Sequence, residues 1–496
     1  MIAEQLTTDC TDVSVDTLLS ESDQWIDGFL QQPTWEGRLR AWGRRLNAQQ
    51  RHGRDAVRHA LAREIASLDA RLSMQISKIL HQQRFQELEA SWRGLFYLVQ
   101  HTADMPAVKV RVLCVSWREL CRDADGTMDF TQTSFYKKVY SEAFGIAGGE
   151  PFGLIVGDYY LSHQVDGEHS IADLDALAVL GEAAADAFTP FVTSVSPGFF
   201  GIDSMAQLDR PEQLSGRLGQ AEYRKWNRLR GEDFSRFLGL VLPRILLRRP
   251  SRSDSRCGFV FRDDPATSSA SEMLWGNPVW ALASVVARSF DQTGWFLDVQ
   301  GVREGACGGG WIADLPDDWC DRSLRDLQGR PVLEVVVGDH RERELTDLGL
   351  IPLSHLRFSS GCALFANPSI QAPKTYDTAA GTANAKLGAM LQYVLCVSRV
   401  AHYLKVMARD KVGTFMAAGE LENFLQAWIT NYVADDENAG GNTKARFPLK
   451  QAEVKVLEQP GRPGAFQCVM HLLPHSQWNA MTAHIQLRTQ MTASRR

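Results

Sequence analysis

Three groupings in this 496-residue sequence have residue types and spacings that could do chemistry. Asp339, His340 and Glu344 follow the apolar run Val332 to Val337. They stand where a strand gives way to a helix, the place an α/β enzyme sets its acid and base. Charges at a helix start equally serve capping and solvation, so both readings stand. His471 and His475 are four apart, a metal-ligand spacing on a helix, but Pro474 and strand-like alternation surround them. Gly305-Ala-Cys-Gly-Gly-Gly310 lacks the glycine order and the lysine of a phosphate cradle and reads as a turn. A basic cluster of Arg248, Arg249, Arg252 and Arg256 has serines rather than aromatics between its charges, which does not suit nucleic acid. Neither Gly-x-Ser-x-Gly nor His-Glu-x-x-His occurs. The residues therefore assign no catalytic group, no metal ligand and no cofactor. An α/β enzyme using Asp339 and His340, with Cys362 as a third group, stays open as the alternative.

The bulk properties narrow the classes further. At 55.4 kDa the chain is long enough for two or three domains, and 44% hydrophobic with 23% charged residues is ordinary for a globular protein. A net charge of −6 argues against a general nucleic-acid binder. No apolar run approaches the roughly 18 residues that cross a bilayer, so no membrane insertion is expected. The opening MIAEQLTTDCTDVSVD has neither the basic nor the apolar region of a secretory signal. Nine cysteines, an odd number with no Cys-x-x-Cys, fit reduced thiols in a cytoplasmic protein.

Elements follow from periodicity. Val57, Leu61, Ile65, Leu68, Leu72, Ile76 and Ile79 recur at steps of three and four, one helical stripe that demands a partner surface. Phe85, Leu88, Trp92 and Leu95 continue it in a second helix. Upstream, Leu18, Trp25, Ile26, Phe29 and Leu30 share a face of an acidic amphipathic helix that Pro33 ends. Eight arginines between Arg38 and Arg63 reverse the charge. The pair reads as an exposed recognition arm or as helices packing on their own domain. Beyond Val108 the texture alternates. Strands are expected at Val108–Val112, Pro151–Leu161, Phe191–Pro197, after Gly294, at Val332–Val337 and before Leu353. Helices are expected over Ile171–Ala187, from Asn277, and from Asp339. A long helix capped by Thr382 and another over Glu420–Val433 precede a hairpin, Ala452–Glu458 with Ala465–Leu473, and a last strand at Met481–Thr489. Such alternation implies a mixed sheet covered by helices.

Several stretches, in order, resemble one family. They are HQQRFQELEASWRGLFYLV, SFYKKVYSEAFGIAGGEPFGLIVGDYYL, SPGFFGIDS, LWGNPVWALASVVARSF, GWFLDVQG, RVAHYLKVMARDKVGTF, ENFLQAWITNYV and PLKQAEVKVLE. Together they resemble the large subunit of the type VI secretion contractile sheath, the TssC/VipB family, from about Leu61 to Arg488. Residues 250–271 and 305–319 match loosely, and the first 50 residues match least. The resemblance implies a structural part, not an enzyme. Its fold would be a mixed α/β, phage tail-sheath-like multi-domain fold: N-terminal helices, a mixed sheet core, and a C-terminal β-hairpin plus exchange strand. The implied domains are a helical arm (1–55), a segment packing with the small sheath subunit (56–107), the sheath core (108–380) and a C-terminal linking domain (381–496). The implied partners are the small sheath subunit as an obligate heterodimer, neighbouring sheath protomers, the hexameric inner tube protein, the baseplate and an AAA+ disassembly ATPase. By the same resemblance Leu18, Leu19, Ile26 and Phe29 would anchor the ATPase. Leu61, Ile65, Leu68, Leu72 and Ile76 would face the small subunit, and Ile485 and Leu487 would lie in the inter-protomer strand. A non-polymerising protein-binding adaptor is the third reading of the N-terminal helices.

Overall fold

The computed structural model describes residues 28–44, 46, 53–127, 129–146, 148–163, 173–209, 213–248, 258–261, 273–302, 308–316, 332–356, 361–411, 418–434, 441–458, 466–475 and 485–491. The chain divides into two compact units, residues 1–82 with 250–266, and residues 83–249 with 267–496.

In the first unit the helical turn at 28–30 stops before Pro33, as a residue without an N–H requires. Helix α1 (Trp35–Gly43) then starts on Thr34, whose hydroxyl accepts the Gly37 N–H at 3.2 Å. Helix α2 (Arg54–Leu80) runs unbroken for 27 residues. The periodic stripe thus lies on one helix.

The second unit opens with helix α3 (Gln83–Thr102). An extended stretch follows, and helix α4 (Trp117–Asp125) begins at a reciprocal capping box between Ser116 and Glu119. A π-helical turn over Lys137–Glu142 leads to strand β1 (Ile155–Leu161), helix α5 (Asp173–Asp186) and β2 (Phe191–Val195). Strand β3 (Leu238–Leu242), the β4–β5 pair (Ile245–Arg248, Leu274–Gly276), helix α6 (Val279–Thr293) and the short β6 (Trp311–Ile312) come next. Helix α7 (Asp339–Asp347), β7 (Ile351–His355) and β8 (Cys362–Leu364) complete the sheet. Its order is β1-β2-β3-β7-β8-β6; the first four strands are parallel, and β8 and β6 are antiparallel additions.

Every residue of β2 and β3 is buried, because helices cover both faces of a parallel sheet. Alternate side chains feed opposite cores. Phe191, Val195, Leu240 and Leu242 join Leu177, Phe199 and Trp226 on one side. Val192, Val241, Ile351 and Leu353 join Leu282, Val285 and Tyr393 on the other.

Helices α8 (Ala379–Gly388), α9 (Leu391–Lys411) and α10 (Ala418–Thr430) lead into a separate antiparallel sheet of order β11-β10-β9. Its strands are β9 (Leu449–Glu458), β10 (Phe466–Pro474) and β11 (Ile485–Met491). The hairpin and final strand expected from alternation are present.

Four expectations need correction. Val108–Val112 joins no ladder among the described residues; Val110 and Val112 are exposed, and Lys109 and Arg111 pair with Glu150. Residues 295–300 after Gly294 are not a strand either. Trp295, Phe296, Leu297 and Val299 are nonetheless buried, and Gly301 donates its N–H to Leu364 at 2.7 Å. Val332–Val337 touches β4 through one bridge, Ile245 with Leu333, flanked by Leu246 N–H to Val332 O and Glu334 N–H to Arg244 O. Finally, Thr378 rather than Thr382 caps the helix, its hydroxyl accepting the Gly381 N–H. The helix then breaks at Ala389, whose carbonyl accepts both the N–H and the hydroxyl of Ser369.

Candidate assembly interface

The residues singled out for chemistry do not converge. Asp339 and His340 are exposed at the start of α7, while Glu344 ion-pairs with Arg341 and accepts the Ser215 N–H at 2.9 Å. Cys362 is wholly buried on β8, and burial pushes its thiol up to about 12, so it stays protonated at neutral pH and is a poor nucleophile. His471 lies exposed on β10, whereas His475 is buried beyond Pro474 with its N–H donated to Pro448 O. Among the described residues no group of three histidine, cysteine or carboxylate side chains could hold a metal ion. Gly310 gives its N–H to Gly301 O, and a Cβ there would sit 2.3 Å from Leu364 O, so this glycine serves backbone packing. Residues 303–307 lie outside the described residues. Arg248 pairs with Glu89 at 3.2 Å; Arg249, Arg252 and Arg256 lie outside the described residues.

Apolar surface is concentrated elsewhere. Helix α3 is apolar on two faces. The inner face carries Gly94, Tyr97, Leu98 and Thr102. A Cβ on Gly94 would stand 2.2 Å from the Trp280 ring, so only glycine allows this approach to α6. The Tyr97 hydroxyl donates to Ala313 O at 2.8 Å, and burial raises its pKa. Glu89 bridges Arg93 at 2.7 Å and Arg248, pinning the helix to β4. The outer face carries Phe85, Leu88, Trp92, Phe96 and Val99, at steps of three, four, four and three. Trp92 is 65% and Phe96 66% exposed. Two large aromatics held in the open by a helix locked from behind form the kind of anchor that dominates protein interfaces.

Sequence periodicity found Phe85, Leu88 and Trp92 but took Leu95 as the fourth member; Leu95 turns half inward, and Phe96 and Val99 carry the stripe on. The signal missed was the helix being apolar on two faces, more than one core can use.

In the first unit Leu61, Ile65 and Leu72 are exposed on α2, and Leu68 and Ile76 are half-buried. Leu18, Leu19 and Ile26 lie outside the described residues, and Phe29 is half-buried on the turn before Pro33.

The C-terminal sheet has a single register across three strands. Ala452, Leu472 and Ile485 align, as do Val454, Met470 and Leu487. Helix α10 covers one face, with Leu421, Leu425 and Ile429 against Val454, Val456, Cys468, Met470 and Leu472. This sheet is tied to the larger one through α9. His402 Nε2 lies 3.0 Å from Ala187 O, and Lys405 donates to the Tyr140 hydroxyl at 2.7 Å over the Tyr140 and Phe144 rings. Arg409 donates to the carbonyls of Phe144 and Ile146. Among the described residues no helix is long and apolar enough to cross a membrane.

Comparison with known proteins bears on these surfaces. The family model VipB, described as the EvpB/VC_A0108 tail sheath N-terminal domain, matches residues 62–371. The companion VipB_2, the tail sheath gpW/gp25-like domain, matches residues 380–491. A curated relative, the type VI secretion system sheath protein TssC1 of Pseudomonas aeruginosa, is 36% identical over 437 residues, covering 87% of this chain and 86% of its own. Among solved structures, the sheath tail protein of Desulfitobacterium hafniense aligns at 8% identity with a TM-score of 0.33, over 67% of this chain and 57% of that one.

Proposed function

This chain belongs to the VipB family of type VI secretion sheath proteins, and from that membership we infer that it is the large subunit, working as a heterodimer that polymerises. It is a structural protein and not an enzyme. The observation that carries the finer reading is the exposed aromatic stripe on α3, held outward by the packing of Gly94 and Tyr97 behind it. In our reading the small sheath subunit covers Phe85, Leu88, Trp92, Phe96 and Val99 together with the α2 residues Leu61, Ile65, Leu68, Leu72 and Ile76. Residues 56–107 are the pairing segment, 108–380 the core and 381–496 the linking domain.

Heterodimers then stack helically around the inner tube. Head-to-tail contacts that do not close into a ring give such filaments. The strand bearing Ile485 and Leu487 passes to a neighbouring protomer's sheet, where backbone hydrogen bonds hold the joint and leave it hinged. Contraction needs no local nucleotide site, since better packing in the short state supplies the drive. Baseplate contact sets the start of the polymer, and the AAA+ ATPase reads the N-terminal helix through Leu18, Leu19, Ile26 and Phe29. The polymer works in the cytoplasm.

Electron microscopy of this chain co-expressed with its small subunit tests the reading. Tubes of constant diameter are expected. A soluble pair that stays dispersed at high concentration would overturn it.

A further inference from the structure

Three basic residues on one face of α9 tie it to the core, and the middle one is held differently. His402 lies against Ala187 O, and Arg409 donates to the carbonyls of Phe144 and Ile146. Lys405 donates instead to a phenol. Its Nζ is 2.7 Å from the Tyr140 hydroxyl and lies 4.2 Å and 3.8 Å from the centres of the Tyr140 and Phe144 rings. Lys109, Lys138, Lys225, Lys386 and Lys455 each face a carboxylate. Lys405 forms no such ion pair among the described residues. Asp186, the acid that pulls on it, accepts the Tyr136 hydroxyl at 2.6 Å.

An amine held this way gives up its proton readily. A phenol oxygen and two ring faces attract an ammonium ion less than a carboxylate does, and partial burial has removed some of its water. Burial and the neighbouring Arg409 bring Lys405 down to about 8 against the pull of Asp186. At pH 7.5 about a quarter of the amine is then neutral, against about one part in a thousand for an ordinary lysine. The neutral form is the nucleophile. The side chain is only half-buried, which leaves it open to a small reagent. Arg409, one turn further along α9, sets a second cation beside the amine, where a phosphate leaving group would gather charge.

We propose that Lys405 is a modification site, acylated on Nζ by small acyl phosphates, and that acylation loosens the joint between the two sheets. Nζ attacks the carbonyl carbon; the C–N bond forms and the C–O bond to phosphate breaks. The phosphate leaves with the bonding pair and takes the proton from Nζ. The product amide is neutral and cannot be held by the Tyr140 and Phe144 ring faces as a cation is. The inference concerns the single chain and stands apart from the sheath reading.

The test incubates the full-length chain with acetyl phosphate at pH 7.5 and follows acetylation of each lysine by mass spectrometry. Lys405 should react about tenfold faster than Lys386 and Lys455, which are more exposed but face carboxylates. Its rate should level off above pH 8, while theirs keeps climbing. In urea the advantage should vanish, because unfolding returns every lysine to water. A Lys405 rate no higher than theirs in the folded chain overturns the site. So does an advantage that survives unfolding, for it then belongs to the local sequence. Lys405→Gln, neutral like the acylated side chain, should speed amide hydrogen exchange across residues 399–407 about threefold. Unchanged exchange in that variant overturns the loosening.

Discussion

Single residues hold the joint between the two sheets, and one of them gives it a pH dependence. His402 is buried on α9 between Ala187 O and the Phe144 ring. Burial pulls its pKa down to about 4; the Ala187 carbonyl opposes that drop, and the cations of Arg399 and Lys405 add to it. Lys405 is itself lowered to about 8, chiefly by burial, with Asp186 pulling back and Arg409 pushing on. A histidine ordinarily titrates near 6.5, so between pH 6.5 and pH 4 the unfolded chain takes up a proton that the folded chain refuses. Stability present above pH 6.5 is therefore lost as pH falls, by up to about 3 kcal/mol from this group. Urea unfolding of the chain between pH 7.5 and pH 5 should show about 2 kcal/mol of that loss, and His402→Gln should flatten the slope.

Among elements, α3 explains why one helix can serve fold and assembly at once. Its inner face needs Gly94 to meet Trp280, and its outer face keeps Trp92 and Phe96 in solvent. The first face was not legible as such, since a glycine in a helical run reads as a weakness until its neighbour is known. Truncating Trp92 or Phe96 should spare the fold, because each keeps about two thirds of its surface in solvent. In a pull-down with the small subunit, Trp92→Ala and Phe96→Ala should each weaken pairing by about 2 kcal/mol, roughly 30-fold, with an unchanged unfolding midpoint. A lowered midpoint with full pairing would place these residues in the fold instead. Strand β11 makes the opposite case. The alternation at Met481–Thr489 located it within a few residues, but alternation is silent on which chain's sheet it joins.

At the scale of the whole molecule, that last choice decides between a monomeric subunit and a polymer. Removing residues 481–496 should leave the heterodimer intact in size-exclusion chromatography but prevent long tubes under the microscope; normal tubes would refute exchange of β11. Much else was readable from sequence. Local periodicity fixes which face of a segment is apolar, so α2, α3, α5, β1, β2 and the C-terminal hairpin lay where spacing put them. Motif order carried the family. What failed were segments whose conformation is set by distant partners. Lys109 and Arg111 pair with the distant Glu150, and Val332–Val337 meets β4 through backbone bonds to Arg244 and Leu246. The helix break at Ala389 answers to Ser369. The hydrogen bonds of Gln426 and Glu422 to the β9 backbone were equally hidden, since sequence gives no sign that a side-chain amide will take a backbone's place. Sequence determines what is encoded within a few residues of itself: helical and strand period, turn chemistry, family order. The tertiary structure alone decides which polar groups far apart in the chain satisfy one another, because that depends on how the packed elements bring them within hydrogen-bonding reach.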